Sequence, residues 1–172
     1  MEEIEAKFKI EDVDLIRKKI IALGAALHSK KHQVDIYFNH SKSKELENVP
    51  SYLRIRTVDG LSKIAMHYKK EAYRWEEIEF SIEDGDKMKK LFKNLGFDID
   101  VEVDKIRETF NLENAEIVID EVKHVGYFLE VEAKSKEILF KYCTLLGFRY
   151  GNNDPLEGKS YADLVREARN KN

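Results

Sequence analysis

Charged side chains recur at two-residue spacing in this chain, beginning near its N-terminus. In the stretch 2–10, Glu3, Glu5 and Lys7 alternate with apolar residues, the pattern of a β-strand with one charged and one apolar face. Side chains two residues apart on a strand are about 7 Å apart, so the two carboxylates repel each other unless a cation compensates them. A divalent cation would do so, because hard ions prefer carboxylate oxygens.

The same alternation returns in three later stretches. Cations alternate with aliphatic residues in Leu53-Arg54-Ile55-Arg56 and Lys105-Ile106-Arg107, whereas acids do so in Leu129-Glu130-Val131-Glu132. An ordinary half-exposed sheet also alternates polar with apolar residues, but here single strands carry one sign of charge. Guanidinium groups bind phosphate oxygens in pairs and lysines act as point charges, while carboxylates suit Mg²⁺ or Mn²⁺ bridged to phosphates. Both signs together indicate a metal-chelated polyphosphate.

An ordered set of motifs carries a family resemblance over nearly the whole chain. The set is Glu3-x-Glu5-x-Lys7, Leu53-Arg54-Ile55-Arg56, Tyr68-Lys69, Lys105-x-Arg107, Ile119-Asp120-Glu121-Val122 and Leu129-Glu130-Val131-Glu132. In this order the motifs resemble the CYTH proteins, also called triphosphate tunnel metalloenzymes. That group includes class IV adenylyl cyclases, thiamine triphosphatases and inorganic triphosphatases.

The resemblance implies both a fold and a site. The fold is α+β, a closed eight-stranded antiparallel β-barrel, the triphosphate tunnel, with helices packed outside. The implied metal ligands for one or two Mg²⁺ or Mn²⁺ ions are Glu3, Glu5, Asp120, Glu130 and Glu132. The implied triphosphate-binding residues are Lys7, Arg54, Arg56, Lys69, Lys105 and Arg107. Glu5, Lys69 and Glu130 are the candidate catalytic residues, and the roles of Lys159, Glu77 and Glu79 stay open.

Hydrophobic periodicity predicts the elements that position these residues. After the first strand, a helix begins at Asp12 and ends at Gly24, and Asp59-Gly60 is a hairpin turn signal. The other predicted strands are 33–38, 52–58, 62–70, 74–82, 100–112, 115–122 and 127–134. A helix ends at Leu95-Gly96, and further helices span 136–146 and 161–169. The stretches 39–50 and 151–158 are predicted loops.

The chain also repeats its own pattern. Strand, helix and hairpin follow in the same order in two halves, about 1–72 and 73–150, within one predicted domain over 1–172. A sheet that closes on itself abolishes its edges, and about eight strands enclose a space for one small ligand. The C-terminal helix 161–169 is amphipathic and is expected to lie across one end of this barrel.

Composition narrows the partners. The formal charge of −3 over 172 residues gives no reason to expect nucleic acid. Acidic residues begin at position 2 and no apolar run approaches membrane-spanning length, so we expect a cytoplasmic protein without membrane contact. Cys143 is the single cysteine, so no intrachain disulfide forms. A homodimer is one candidate for the oligomeric state, which the sequence leaves open.

Four functions remain open at this point. In a cyclase, the ribose 3′-hydroxyl of ATP attacks the α-phosphorus, whereas in a triphosphatase water attacks the terminal phosphorus of ATP, thiamine triphosphate or tripolyphosphate. Class IV cyclases resemble one another in a His-Phe pair before Glu-x-Glu-x-Lys, and only Met1 and Glu2 precede Glu3 here. The third function is a binding module for a nucleotide or polyphosphate, and the fourth is a structural barrel whose internal charges neutralise one another.

Overall fold

Eight strands and four helices make up the computed structural model. It describes residues 2–40, 52–71, 74–149, 156 and 159–170, and at 2, 3, 52, 67–71 and 74–76 it describes the backbone alone. The strands are β1 (Glu2–Ile10), β2 (Ala26–His40), β3 (Tyr52–Val58), β4 (Leu61–Glu71), β5 (Arg74–Ile82), β6 (Phe97–Asn111), β7 (Ala115–Val122) and β8 (Gly126–Ala133). The helices are α1 (Val13–Ala22), α2 (Gly85–Asn94), α3 (Lys136–Leu146) and α4 (Tyr161–Arg169). The predicted α+β class with eight antiparallel strands is confirmed.

The strands pair in the circular order β1-β5-β4-β3-β2-β6-β7-β8. Strand β1 pairs with β8 over seven residue pairs on one side and with β5 over three on the other. Every pairing in the ring is antiparallel. Exchanging β1–β4 with β5–β8 leaves the circular order unchanged, which is the symmetry that a repeat of the two halves would produce.

Local sequence signals account for the turns and helix ends. Asp59 and Gly60 both have positive φ, 51° and 80°, as a two-residue hairpin turn between twisted strands requires. Asp12 begins α1 by accepting a hydrogen bond from the backbone N–H of Leu15 at 2.9 Å, and Gly147 ends α3 in the left-handed conformation. Among the described residues no helix has the length and apolar character needed to cross a membrane.

Two apolar clusters hold helices against the outside of the ring. In one, Ile20 of α1 and Leu139 of α3 pack with residues such as Leu129 of β8. In the other, Phe92 of α2 packs with residues such as Ile55 of β3. Burial of each such side chain stabilises the fold by about 1.5–3 kcal/mol. The apolar faces of the strands are therefore oriented outward, toward these helices, and the alternate, charged faces are oriented inward.

Helix α4 is the exception, because it packs on the inner face. Its residues Ala162 and Val165 cluster with Val101, Val103 and Phe128. Phe128 is in register with Asp120, and Tyr37 of the same cluster is in register with Arg54, so this apolar cluster shares its face with predicted site residues. Helix α4 therefore covers one end of the ring from inside.

The structure corrects both boundaries of β2. The predicted loop 39–50 begins too early, because Asn39 and His40 belong to β2 and are in register with Asp98 and Phe97; positions 41–50 lie outside the described residues, as does most of the predicted loop 151–158. Strand β2 also begins at Ala26 rather than at Gln33. Its first seven residues are mostly exposed and lack alternation, so pairing with β6, not burial, defines them as a strand.

Candidate functional site

The ring of strands surrounds a cavity of about 230 Å³. Its wall is mostly charged, and the start of α4 forms part of it. The lining residues are Glu5, Lys7, Tyr37, Arg54, Arg56, Glu77, Lys105, Arg107, Val118, Glu130, Glu132, Lys159, Ser160 and Tyr161. Eight of these were predicted as site residues, and they come from four strands, β1, β3, β6 and β8.

Strands β1 and β8 bring acids and a lysine together. Glu5 is in register with Glu132, and Lys7 with Glu130, so these side chains share one face. The Lys7 Nζ atom lies 3.2 Å from Glu130 Oε1. Burial acts to lower the pKa of Lys7, but the carboxylates of Glu130 and Glu5 outweigh it and raise that pKa. Lys7 therefore stays an ammonium inside the cavity.

Asp120 of strand β7 forms ion pairs with the cations of β6. Asp120 is fully buried, is not among the lining residues, and accepts hydrogen bonds from Arg107 Nε at 2.8 Å and Nη2 at 2.5 Å. The same carboxylate lies 3.4 Å from Lys105 Nζ, and Arg107 also contacts Glu130. These bonds orient the Arg107 guanidinium edge-on to Asp120. Both oxygens of this predicted metal ligand therefore contact cations.

Strands β2 and β3 repeat this arrangement on the other side. The fully buried Asp35 accepts hydrogen bonds from Arg56 Nε at 2.6 Å and Nη2 at 2.8 Å. Burial acts to raise the pKa of Asp35, but Arg56 and Arg54 hold it far below its usual range. Arg54 in turn donates from Nη2 to Glu77 Oε1 at 2.9 Å. Each arginine of β3 is thus held by a carboxylate of a neighbouring element.

Arg54 nevertheless has one donor left over. Its Nε atom is buried and makes no hydrogen bond to any described residue. A buried donor without a partner costs about 1–3 kcal/mol. An anion in the cavity would supply the missing acceptor, which makes this position informative about a ligand.

Lys105 is the most deeply buried cation among the site residues whose side chains are described. It is 2% exposed, and burial, together with the positive charge of Arg107, lowers its pKa to about 8 although Asp120 opposes this. Crowded cations of this kind gain most from an added negative charge. The β6 side of the cavity is therefore an anion site by its electrostatics as well as by its donors.

The opposite charge accumulates around Glu132. Burial first, and then the carboxylates of Glu116, Glu5 and Glu130, raise the pKa of Glu132 to about 7. Uncompensated carboxylates at this position fit a hard divalent cation, which would neutralise them. Among the residues whose side chains are described, no three His, Cys, Asp or Glu already converge as metal ligands. The side chain of the predicted ligand Glu3 lies outside that set.

Two predicted residues are placed by their backbone alone. Glu3 in β1 and Lys69 in β4 are both in register with Trp75 of β5. They therefore occupy the same row of the sheet, two residues along β1 from Glu5. Their side chains lie outside the described part of the structure.

Sequence reasoning missed several lining or supporting residues. Asp35 and Tyr37 are in phase with each other in β2, so the alternation Gln33-Val34-Asp35-Ile36-Tyr37 carried the signal. Glu77 and Lys159, whose roles the sequence left open, both line the cavity. Glu77 binds Arg54, and the Lys159 Nζ atom lies 2.7 Å from Glu167. Tyr161 gave no chemical signal in the sequence, because its place depends on how α4 packs.

Relatives of known sequence and structure share this architecture. The CYTH domain model matches residues 1–139. A Methanocaldococcus jannaschii protein named "Putative adenylate cyclase MJ0240" is 38% identical over 95% of this chain and 98% of its own length. The PH1012 protein of Pyrococcus horikoshii superposes with a TM-score of 0.80 at 29% identity, over 94% of this chain and 98% of that one.

A more distant solved structure has the same fold. The Hippeastrum protein HpAC1, described as an adenylyl cyclase candidate with a dominant triphosphatase activity, superposes with a TM-score of 0.67 at 20% identity, over 96% of this chain and 95% of its own. With the family model covering most of the chain and the archaeal relative aligned along almost all of it, this protein belongs to the CYTH domain family.

Proposed function

We propose that this chain is a metal-dependent enzyme that acts on a triphosphate held inside the strand ring. The observation that carries the proposal is the separation of charge within one small cavity. Arginines and lysines from β3 and β6 form one part of its wall, and Glu132 with its neighbouring carboxylates forms another. A polyphosphate chelated to a divalent cation presents both signs in the same way.

The cations of the cavity are suited to the phosphate chain. Arg54, Arg56 and Arg107 offer planar donors already oriented by carboxylates, and Lys7 and Lys105 add point charges. Lys69 stays a predicted member of this set and a predicted catalytic residue. Because phosphoryl and nucleotidyl transfers depend mainly on positioning and charge neutralisation, such a preformed cradle accounts for most of what the protein must supply.

The carboxylates are suited to Mg²⁺ or Mn²⁺. We assign the metal to Glu5 and Glu132. Glu3 stays a predicted ligand, and so does Glu130, whose Oε1 lies 3.2 Å from Lys7 Nζ and whose Oε2 contacts Arg107. A bound divalent ion would neutralise charge on phosphate oxygens and lower the pKa of a coordinated hydroxyl group. For Asp120 the geometry supports another role than the predicted metal ligand, because both of its oxygens hold Arg107.

Two reactions are compatible with this site. In the class IV adenylyl cyclase reaction, the 3′-oxygen of ATP bonds to the α-phosphorus, its proton is lost, and pyrophosphate leaves. The name of the archaeal relative at 38% identity supports this assignment. In the triphosphatase reaction, water bonds to the terminal phosphorus of ATP, thiamine triphosphate or tripolyphosphate, and the diphosphate part leaves.

The cavity wall favours the triphosphatase as the second candidate. Its volume of about 230 Å³ is below the roughly 300–1,000 Å³ of common small-molecule pockets. Among its described lining residues, four are uncharged: Tyr37, Val118, Ser160 and Tyr161. The wall thus matches phosphates along its length and offers little surface for a purine.

Product analysis decides between the reactions. ATP, thiamine triphosphate and tripolyphosphate would each be incubated with the protein and Mg²⁺ or Mn²⁺. Cyclic AMP with pyrophosphate identifies a cyclase, and a diphosphate with orthophosphate identifies a triphosphatase. Glu5→Gln should abolish turnover, whereas Glu102→Gln, at an exposed position of β6, should leave it unchanged.

The two non-enzymatic functions make different predictions. A binding module would bind tripolyphosphate with metal and give no product after prolonged incubation. A structural barrel, supported by the many ion pairs of the cavity wall, would show no rise in melting temperature when tripolyphosphate is added. The cytoplasmic location and the homodimer remain predictions of the sequence.

A further inference from the structure

The ring of Tyr161 lies close to two ammonium groups of the cavity. Lys7 Nζ is 4.3 Å and Lys105 Nζ is 4.6 Å from the ring centroid. The two lysines come from β1 and β6, which β7 and β8 separate in the ring of strands. One side chain of helix α4 therefore contacts two cations that the sheet alone does not bring into register.

An aromatic face stabilises these cations differently from a carboxylate. The ring quadrupole attracts an ammonium within about 6 Å but carries no net charge, so it does not repel an incoming phosphate. The arginines of the cavity are held by carboxylates, Arg56 by Asp35 and Arg107 by Asp120. Lys7 and Lys105 also have carboxylates nearby, Glu130 and Asp120, so the ring adds attraction for both ammonium groups without adding a negative charge to the cavity.

Helix α4 fixes the ring at this place. Tyr161 is the first residue of the helix, directly after Ser160, which forms a reciprocal capping pair with Asp163. Arg166, one turn further along, binds Asp100 of β6 through Nε at 3.0 Å. On its other side the Tyr161 ring packs edge-on against Phe128 at 5.3 Å. The ring is 4% exposed, so it has little freedom to turn away.

The same segment holds Lys7 by a second contact. Lys7 Nζ donates a hydrogen bond to the backbone carbonyl of Lys159 at 3.2 Å. The hydroxyl group of Tyr161 is buried and lies near the Asp120 carboxylate. Burial, together with this carboxylate, raises the pKa of Tyr161. Replacing Tyr161 with phenylalanine therefore separates the contribution of the ring from that of the hydroxyl group.

We propose that Tyr161 is a positioning residue whose ring holds the ammonium groups of Lys7 and Lys105 at the phosphate-binding wall. The inference rests on the proposed triphosphate site but not on which reaction occurs there. The start of α4 is then part of the binding machinery, in addition to covering one end of the strand ring.

The test compares three variants in the binding of tripolyphosphate, measured by calorimetry with and without Mg²⁺. Tyr161→Leu removes the ring and should weaken binding roughly tenfold, since two cation–π contacts are lost. Tyr161→Phe keeps the ring and should bind within about twofold of the unaltered protein. Phe110→Leu is the matched control, because Phe110 is an equally buried ring of β6 that lies in the other apolar cluster and is not part of the cavity wall, so this variant should keep the affinity of the unaltered protein.

The outcomes separate this inference from the proposed function. If the unaltered protein does not bind tripolyphosphate, the proposed function fails. If it binds, and Tyr161→Leu binds equally well or Tyr161→Phe loses as much as Tyr161→Leu, the inference on the ring fails. A purely structural role would make Phe110→Leu and Tyr161→Leu lose affinity in parallel with their loss of melting temperature.

A measurement on the unaltered protein keeps the inference testable should Tyr161→Leu not fold. The ε-methylene protons of Lys7 and Lys105 should show ring-current shifts by nuclear magnetic resonance, and these shifts should persist in Tyr161→Phe. Unshifted signals for both lysines would overturn the inference without any unfolding variant.

Discussion

Asp120 is the residue for which geometry and prediction differ most. The resemblance implies a metal ligand, yet its buried carboxylate binds Arg107 and lies close to Lys105. Removing one member of a buried ion network leaves the other charges uncompensated, at a cost of about 3–5 kcal/mol. The two roles therefore predict different behaviour of the metal-free protein.

We expect Asp120→Asn to lower the free energy of unfolding of the metal-free protein by about 3–5 kcal/mol. Tripolyphosphate without metal should recover part of this loss, because it supplies negative charge to Arg107 and Lys105. Urea unfolding with and without tripolyphosphate measures both effects. An unchanged metal-free stability combined with lost Mg²⁺ binding would instead establish Asp120 as a metal ligand.

Glu108, on the outside of the ring, is likewise a buried carboxylate held by cations. It is 8% exposed and accepts hydrogen bonds from Arg17 Nε at 3.0 Å and Lys30 Nζ at 3.0 Å. Burial acts to raise the pKa of Glu108, but Arg17 and Lys30 hold it below its usual value of 4.5. The folded state therefore binds the Glu108 proton more weakly than the unfolded state does.

The sign of the pH dependence follows from this difference. The stabilisation by Glu108 is fully present above about pH 4.5 and is lost as the pH falls through the lower folded-state pKa. Glu108→Gln should be less stable than the unaltered protein at pH 7, and the two should converge as the pH falls below about 4.5. Urea unfolding across this range is the measurement, and a difference that stays constant with pH would contradict the assignment.

At the scale of elements, helix α4 and helix α3 provide a matched pair. Each begins with a serine whose hydroxyl oxygen accepts a backbone N–H, Ser160 from Asp163 at 3.1 Å and Ser135 from Ile138 at 3.3 Å. Only the first of these serines lines the cavity. Replacing such a cap with alanine costs about 1 kcal/mol.

We expect Ser160→Ala and Ser135→Ala to lose similar stability but to differ in binding. Ser160→Ala loosens the start of α4, which carries Tyr161 and the carbonyl that holds Lys7, so its affinity for tripolyphosphate should fall several-fold. Ser135→Ala should keep the affinity of the unaltered protein. Thermal unfolding and calorimetry on the two variants check this, and equal affinities would show that α4 only covers the end of the ring.

Elements were predictable where side-chain periodicity alone defines them. Strand β7, strand β5 and helices α3 and α4 have the boundaries that the sequence predicts, because alternation and capping residues lie within each segment. The exposed first half of β2 was missed, since its residues are specified by pairing with β6 and carry no apolar alternation.

The sequence predicted which residues belong to the site better than it predicted which of them contact one another. The charged rows of β1, β3, β6 and β8 indicate which side chains share a face, but not which strand lies opposite. Asp35 meets Arg56, and Asp120 meets Arg107, only because β2 pairs with β3 and β6 with β7 in a given register. That register depends on the whole ring, so a single segment cannot specify it.

At the scale of the whole molecule, the cavity joins parts of the chain that are far apart in sequence. Lys7 and Glu130 are paired across β1 and β8, the first and the last strand of the described chain, and Arg54 and Arg107 reach the same cavity from β3 and β6. Among the described residues, the β1–β5 pairing that completes the ring comprises three residue pairs. A ligand bound in the cavity would bridge strands that do not pair with each other, such as β3 and β6.

We therefore expect tripolyphosphate to stabilise the ring as one unit. A ligand that binds only the folded state adds about 2.7 kcal/mol to the free energy of unfolding when its concentration is a hundred times its dissociation constant. Amide hydrogens of β1, β3, β6 and β8 that exchange through global unfolding should then all exchange more slowly by the same factor, roughly a hundredfold. Orthophosphate at matched ionic strength is the control, because it supplies negative charge without the length of a triphosphate chain. Slowing confined to one strand, or equal slowing with orthophosphate, would mean that the anion binds at a local site and that the cavity does not hold an extended phosphate chain.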